Sequence, residues 1–239
     1  MLLRSILFLS VLPVAGYLNA QQPTANEVIG KMIEHDRERQ AGMDGYIARR
    51  HYVLENMRHH KRAEMLVRMK CQKDGSKEFE IVSSAGWGIA RSHVFPNLLS
   101  AESDASQPGS AQRSRIIPEN YSFEMVGTET VNDRPAYVIA ADPKTSNKYL
   151  MKGKIWVDAE EYAIVRIEGQ PAKNPSFWIK SVHFVHTYAK QGPLWLPVSD
   201  SSVTDARILG ATGLKIEYFG YLAANATSAS NEPVQRSTP

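Results

Sequence analysis

The chain has 239 residues, of which 43% are hydrophobic and 22% charged, with a formal net charge of +3. That length and composition suit one globular domain or at most two small ones, and the positive charge is not gathered in the long runs expected of a nucleic-acid binder. A single cysteine, Cys71, excludes an internal disulfide, so stability has to come from packing.

Met1-Leu2-Leu3-Arg4-Ser5 is a short cationic head, Ile6 to Val14 an apolar core, and Ala20 ends the segment. Residues 1–20 therefore read as a secretory signal peptide, although Leu18 is larger than usual at its position. The apolar run is well short of the roughly 20 residues that a bilayer span needs, and Pro13 interrupts it. The expectation is export across the inner membrane to the periplasm. No cysteine follows the signal core, so a lipid anchor on a processed N-terminal cysteine is not expected.

Thr24-Ala25-Asn26-Glu27 has the form of a capping box, and Val28, Ile29, Met32 and Ile33 then recur at helical spacing. This predicts an amphipathic helix over Ala25–Ala41. From Asp44 the period changes to two, and Tyr46–Leu54, Arg62–Cys71 and Lys77–Ser84 read as strands. In the second of these Met65, Val67, Met69 and Cys71 share one face, and Glu64, Arg68 and Lys70 the other, as in a half-buried antiparallel strand. Asp74-Gly75 marks a turn. Arg58, His59, His60, Lys61 and Arg62 form the densest basic cluster, which reads as a solvated hairpin turn rather than an anionic-lipid or nucleic-acid patch.

Ile89, His93, Val94, Leu98 and Leu99 suggest a second helix, with Pro96 forcing a kink or restart. Ser103–Ser114 is rich in Ser, Gln, Gly and Pro and reads as a mobile surface loop. Strands resume at Tyr121–Val131, Pro135–Ala141, Lys154–Asp158, Ile164–Gly169, Phe177–Ala189, Leu194–Thr204 and Leu214–Tyr221. Asn132-Asp133-Arg134-Pro135 and Lys190-Gln191-Gly192-Pro193 are turns. Residues 223–239 are small and polar and read as a disordered tail, leaving 21–222 as the folded domain.

Short turns between successive strands mean antiparallel pairing in a meander. A sheet of about ten strands curls and must cover its concave face, and the two amphipathic helices are the available cover. The predicted fold is mainly β (α+β): a strongly curved antiparallel meander forming an incompletely closed β-barrel with helices across its mouth.

For the hairpin Met151–Gly169, segregating apolar from polar residues pairs Asp158 with Ile164, Val157 with Val165, Trp156 with Arg166 and Ile155 with Ile167. Ile155, Val157, Val165 and Ile167 then share the inner face. Trp156 stacks on the Arg166 guanidinium outside, a contact worth roughly 0.5–1 kcal/mol at an exposed site.

Gly153-Lys154-Ile155-Trp156-Val157-Asp158 followed by Ile164-Val165-Arg166-Ile167-Glu168 resembles the periplasmic outer-membrane lipoprotein-sorting proteins, the LolA/LolB-like superfamily. Gly127 to Ala141, with Arg134-Pro135-Ala136-Tyr137-Val138-Ile139, is similar to the strand pair that precedes that hairpin in the family. Gly192-Pro193-Leu194-Trp195-Leu196-Pro197 looks like the family's later turn and strand. The resemblance spans about Ala25 to Tyr221. It implies an open β-barrel with a helical lid over an apolar cavity, binding acyl chains or lipoproteins and shuttling them between membranes without covalent chemistry. It also implies a regulatory alternative, since relatives of the fold act as stress-sensing periplasmic regulators. The segments Arg58–Arg62 and Ser103–Ser114 do not align with the family, and the lid arginine of the bacterial carriers has no assignable counterpart.

Enzymatic motifs are missing: there is no Gly-x-Ser-x-Gly, His-Glu-x-x-His, phosphate-binding glycine loop or cysteine pair. No cofactor is expected. His183 and His186 fall on opposite faces of a strand. His51, His59 and His60, with Glu55, are the one metal-binding possibility and would make a metal-dependent hydrolase; solvated turn histidines are the simpler reading. Asp158, Glu160 and Glu161 crowd a hairpin tip, where carboxylates normally face water.

Several strands are apolar on both faces. Trp178, Val182, Phe184 and Tyr188 lie on one side of theirs, and Phe177, Ile179 and Val185 on the other. Met57, Met65, Met69, Met125 and Met151 could line an adaptable pocket. The candidate ligand-cavity residues are Ile155, Val157, Val165, Ile167, Met65, Val67 and Met69. The expected function is a non-enzymatic carrier or chaperone for an acyl chain or lipoprotein client, with peripheral membrane contact. The alternative is an envelope regulatory or scaffold module that recognises a protein partner.

Overall fold

The first helix starts where the capping box places it. Thr24 Oγ1 accepts from the Glu27 amide at 3.3 Å, and Glu27 Oε2 accepts from the Thr24 amide at 2.7 Å. Helix α1 runs Ala25–Ala41 and buries Ala25, Val28, Ile29 and Met32. The structure, a computed structural model, describes residues 22–174, 176–208 and 210–224. The predicted signal peptide lies outside them, as does the predicted tail apart from Ala223 and Ala224.

Ten strands follow: β1 Tyr46–Asn56, β2 Lys61–Cys71, β3 Lys77–Gly86, β4 Tyr121–Val131, β5 Arg134–Pro143, β6 Met151–Asp158, β7 Ile164–Pro171, β8 Ile179–Gln191, β9 Leu194–Ala206 and β10 Gly210–Ala223. They form one antiparallel sheet in the order β3-β2-β1-β10-β9-β8-β7-β6-β5-β4. The first strand thus pairs with the last, and β3 and β4 are left as the two edges. Bulges at Leu66/Val67, Met125/Gly127, Trp156/Val157 and Thr187/Tyr188 interrupt the registers and bend the strands. The result is the curved, unclosed barrel that the strand count predicts.

The link between the two edge strands carries the remaining helices. A π-helical turn, Ala90–Val94, runs into α2, Phe95–Ser106, with Pro96 in its first turn. The chain stays helical from Gly88 through this turn into α2, so Pro96 falls where the helical hydrogen-bond pattern changes rather than at a break. Ala90, Phe95 and Leu99 face inward, whereas Ile89 and His93 are exposed, so the apolar face is rotated from the one the sequence suggests.

Ser103–Ser114 is not an irregular loop. It completes α2 and continues through α3, Pro108–Ala111, and a 3-10 turn, Gln112–Ser114. Its serines dock it onto β3: the Lys77 amide donates to Ser106 Oγ at 2.9 Å, and Ser103 Oγ donates to the Lys77 carbonyl at 3.0 Å. A Ser-rich composition that reads as solvated is here used for local capping and docking bonds.

Packing divides the concave face. Beneath α1 lies a core of Tyr121, Ile139, Leu150, Met151, Ile155, Val157 and Ile167. Beneath α2 lies a second core of Tyr52, Leu54, Met65, Val67 and Ile216. Along β6 and β7, Ile155 pairs with Ile167 and Trp156 with Arg166 as the sequence predicts. Beyond Trp156 the register slips, Val157 stands opposite Ile164, and Val165 is the extra residue of a bulge. The expected pairs Asp158–Ile164 and Val157–Val165 do not form. Val165 instead joins Trp156, Ala136 and Val138 in a cluster on the other face of the sheet. Trp156 stacks on Arg166, guanidinium to ring centre 5.0 Å, but it is buried rather than exposed, and its Nε1 donates to Glu129 at 2.8 Å.

The β6–β7 tip also departs from expectation. Asp158 does not face water: it is fully buried and accepts from Arg134 Nε at 2.6 Å, Arg134 Nη2 at 2.9 Å and the amides of Glu160 and Glu161. Arg134 follows a two-residue turn in which Asn132 and Asp133 both take positive φ, the geometry that suits a right-twisted hairpin. Burial opposes the Asp158 charge, but the Arg134 hydrogen bonds and the two amides hold its pKa below the ordinary value. Arg134 is a third exposed and keeps Glu160 and Glu161 as partners, so removing Asp158 costs its charge-assisted hydrogen bonds, about 1.5–3 kcal/mol. Asp158→Ala is therefore expected to lose that much in urea denaturation. Because the folded pKa is depressed, this stabilisation is present above the ordinary carboxylate value of about 4 and is lost as pH falls through the folded pKa. Asp158→Asn should accordingly show a flatter acid limb of stability than the wild type.

Candidate functional site

Inward residues of β1 are Tyr46, Ala48, Arg50, Tyr52 and Leu54, and one of them carries a charge. Arg50 is 1% exposed. Its guanidinium lies among the rings of Tyr218, Tyr52 and Phe79, at 4.6, 5.0 and 5.4 Å. A buried cation persists only when paired, and Arg50 finds its pair on helix α2. Its Nη1 donates to both Glu102 carboxylate oxygens at 2.9 Å, and Lys77 Nζ donates to Glu102 Oε1 at 2.9 Å. Arg50 Nη2 donates to Tyr218 Oη at 2.9 Å, the Tyr218 hydroxyl donates to Asp200, and His186 Nδ1 lies 2.7 Å from Asp200 Oδ1.

The network therefore joins β1, β3, β8, β9 and β10 to α2. Burial disfavours the charge of Glu102, but Lys77 and Arg50 hold its pKa below the ordinary value. Asp200 is likewise held low against its burial, by His186, Tyr218 and Arg50. Burial pushes the Tyr218 phenol well up, keeping it a neutral donor. Arg50 Nε and Tyr52 Oη are buried without a hydrogen-bond partner.

This network forms part of the wall of a cavity of about 750 Å³. Its apolar wall comes from Val182, Phe184 and Tyr188 of β8, Leu214 and Ile216 of β10, and Leu98, Ala101 and Ala105 of α2. Two further hollows continue from it. One of about 640 Å³ shares Tyr46, Lys77, Glu102 and Pro197 with it, and one of about 330 Å³ lies beyond, against Met32, Ile33, Ile167 and Trp195. The cavity of about 750 Å³ thus has apolar walls beside a charged band, whereas the hollow of about 640 Å³ is lined largely by polar side chains such as Asp36, Arg39, Lys73 and Arg115.

The predicted cavity residues fall elsewhere. Ile155, Val157 and Ile167 are packed under α1, and Ile167 alone reaches a hollow, the smallest of the three. Met65 and Val67 lie under α2, and Met69 packs with Tyr46 and Cys71. Val165 is on the opposite face. Met57 is exposed, and Met125 and Met151 belong to the core under α1. The helices cover most of those positions, and the largest of the three hollows lies where β8 to β10 curve past them. Val182, Phe184 and Tyr188 share a face as expected, but Phe177 and Trp178 precede the strand and stand in the β7–β8 loop.

His51, His59 and His60 are not brought together. His51 Nε2 lies 3.0 Å from Glu64, and His59 and His60 sit at the tip of the β1–β2 turn, at least about 16 Å further along the strand direction. Among the described residues no group of three His, Cys, Asp or Glu side chains is placed to hold a metal ion. His183 and His186 do lie on opposite faces, His183 towards Glu168 at 3.4 Å and His186 towards Asp200.

The charged band went unread in the sequence. Its signal was present in β1, where Arg50 occupies an otherwise apolar period-two face. Glu102 and Asp200 had no such signal, because their partners are distant in the chain.

No protein-family model matches the chain, and no curated protein sequence matches it. Among solved structures it is similar to a LolA superfamily protein of Nitrosomonas europaea, at 10% identity and TM-score 0.39, covering 84% of this chain and 93% of that one. It is similar to the lipoprotein LppX of Mycobacterium tuberculosis, at 12% identity and TM-score 0.32, covering 87% and 97%. It is also similar to a chain of the Pseudomonas aeruginosa MucA/MucB complex, at 11% identity and TM-score 0.26, covering 81% and 93%. At these identities and TM-scores the site is read from this chain's own residues.

Proposed function

We propose that the protein is an exported, non-enzymatic carrier that holds the acyl chain of a lipid or lipoprotein between α2 and the inner faces of β8 to β10. The observation that carries this reading is the cavity of about 750 Å³, which no side chain of the fold fills. That volume lies within the roughly 300–1,000 Å³ usual for small-molecule sites. Its apolar walls suit a hydrocarbon chain, and the band of Arg50, His186 and Asp200 supplies polar partners for an ester or headgroup. Export to the periplasm rests on residues 1–20, whose layout is that of a signal peptide.

Leu98, Ala101 and Ala105 of α2 form one wall of the cavity, so the position of α2 sets its width. The buried ionic tie that holds α2 to the barrel runs from Glu102 to Arg50 and Lys77. The tie is a latch of defined chemistry, and it can be tested apart from the cavity.

Delipidated protein should take up a fluorescent fatty acid, and native mass spectrometry of protein purified from a membrane-containing source should show bound lipid. Val182→Trp and Leu98→Trp, which fill the cavity, should each weaken uptake about tenfold or more, equivalent to about 1.4 kcal/mol. Protein that stays ligand-free in both measurements overturns the reading.

Glu102→Gln leaves Arg50 buried without a carboxylate and is expected to lower stability by about 3–5 kcal/mol in urea denaturation. The pair replacement Arg50→Met with Glu102→Leu should recover most of that loss, because apolar residues of similar volume remove both charges together. Glu102→Gln should also speed ligand release, measured by stopped-flow transfer to an acceptor.

A further inference from the structure

Three turns at one end of the barrel carry large apolar side chains that the fold leaves in water. Phe177 is 74% exposed and Trp178 57% in the β7–β8 loop, Ile208 63% in the β9–β10 turn, and Met57 57% in the β1–β2 turn. These turns are neighbours, and they are tied together. The Arg207 amide donates to the Trp178 carbonyl and Arg207 Nε to the Phe177 carbonyl, both at 2.9 Å. Arg58 Nη1 donates to the Ile208 carbonyl at 3.1 Å, and the Met57 amide to the Ala211 carbonyl at 3.0 Å. The four apolar side chains therefore form one rim rather than four scattered exceptions.

The rim is also cationic. Arg58, Lys61, Lys173, Lys180 and Arg207 are all exposed on these turns or at the strand ends that flank them, and Arg207 stacks on the Phe177 ring at 4.7 Å. The carboxylates at the same strand ends are both paired, Asp205 with Lys180 at 3.4 Å and Glu55 with Arg62, which leaves Arg58, Lys61, Lys173 and Arg207 as the rim's excess of positive charge. His59 and His60 add two further ring nitrogen pairs at the tip. An exposed Trp and Phe beside Ile and Met, ringed by Arg and Lys, is the combination that inserts at a headgroup boundary and draws in anionic lipid. The basic cluster Arg58–Arg62, which alone reads as a solvated turn, becomes half of a surface once the other two turns stand beside it.

We propose that this rim docks the protein on anionic phospholipid bilayers, with Phe177, Trp178, Ile208 and Met57 entering the interface and the arginines and lysines meeting phosphates. Val182 and Leu214, which line the cavity, stand further along β8 and β10 from the same rim. Docking there would bring the cavity to the membrane surface. That purpose rests on the carrier reading; the docking itself does not.

The test is co-sedimentation of the purified protein with phosphatidylglycerol-containing vesicles and with phosphatidylcholine vesicles, read alongside tryptophan fluorescence. Binding should favour the anionic vesicles, weaken with added salt and shift emission to the blue. Trp178→Phe should abolish the shift while co-sedimentation persists, because Trp156 is buried and Trp87 and Trp195 are partly so. Phe177→Ser with Trp178→Ser should reduce binding about tenfold or more, and Arg58→Gln with Lys61→Gln should remove the preference for anionic lipid. Failure of the wild type to bind vesicles at low salt, or undiminished binding by the serine variant, overturns the proposal. So does a photocrosslinker at position 178 that captures an envelope protein and no lipid, which would reassign the rim to a protein partner. Vesicle binding without fatty-acid uptake would sink the carrier reading alone, and uptake without vesicle binding would sink this one alone.

Discussion

A ten-stranded antiparallel sheet that curls without closing has more concave surface than two helices can fill, and the rest of this structure follows from that mismatch. Helix α1 packs on the β4–β7 side and α2 on the β1–β3 side, each beside one of the two edge strands. The inner faces of β8 to β10 lie between them, and the space over those faces is the cavity. Apolar area left uncovered inside a fold is unfavourable, and that cost is the ground on which a ligand is proposed for the cavity.

The interior also keeps a charge where the hydrophobic effect would place a leucine. Arg50 survives there because Glu102, Tyr218 and three aromatic faces surround it. Buried ion pairs rarely add net stability over apolar packing. What this one adds is a specific tie between a strand and the helix that covers the cavity, breakable by displacing one side chain. The band of Lys77, Glu102, Arg50, Tyr218, Asp200 and His186 gives the apolar walls of the cavity a polar station. The outer end of the same barrel reverses the pattern, with apolar tips among cations on a surface that faces water.

Much of the local structure was legible along the chain. The α1 boundaries and its cap follow from Thr24, Glu27 and the apolar spacing behind them, because capping and helical periodicity are short-range properties. The strands follow from period-two alternation, and Trp156 over Arg166 follows from segregation of faces. The failures have physical reasons as well. The bulge at Val165 adds one residue to one strand, and alternation does not reveal it because Ile164 and Val165 are both apolar and either could stand opposite Val157. Ser103–Ser114 looks like solvated loop because Ser and Gln serve water and backbone equally well, and only the nearness of Lys77 decides between them.

The sequence by itself determined the elements, their antiparallel pairing and the need for helical cover, since each depends on neighbours a few residues apart. It also implied that apolar residues on the hairpin and on β2 would meet a ligand, and those positions are filled by the helices. Which part of the concave face stays open depends on how far α1 and α2 reach and on β1 pairing with β10, contacts between residues from about 25 to more than 150 positions apart. The charged band and the apolar rim are of the same kind. Arg50, Glu102 and Asp200, like Met57, Phe177 and Ile208, acquire this meaning only when the curled sheet brings them side by side.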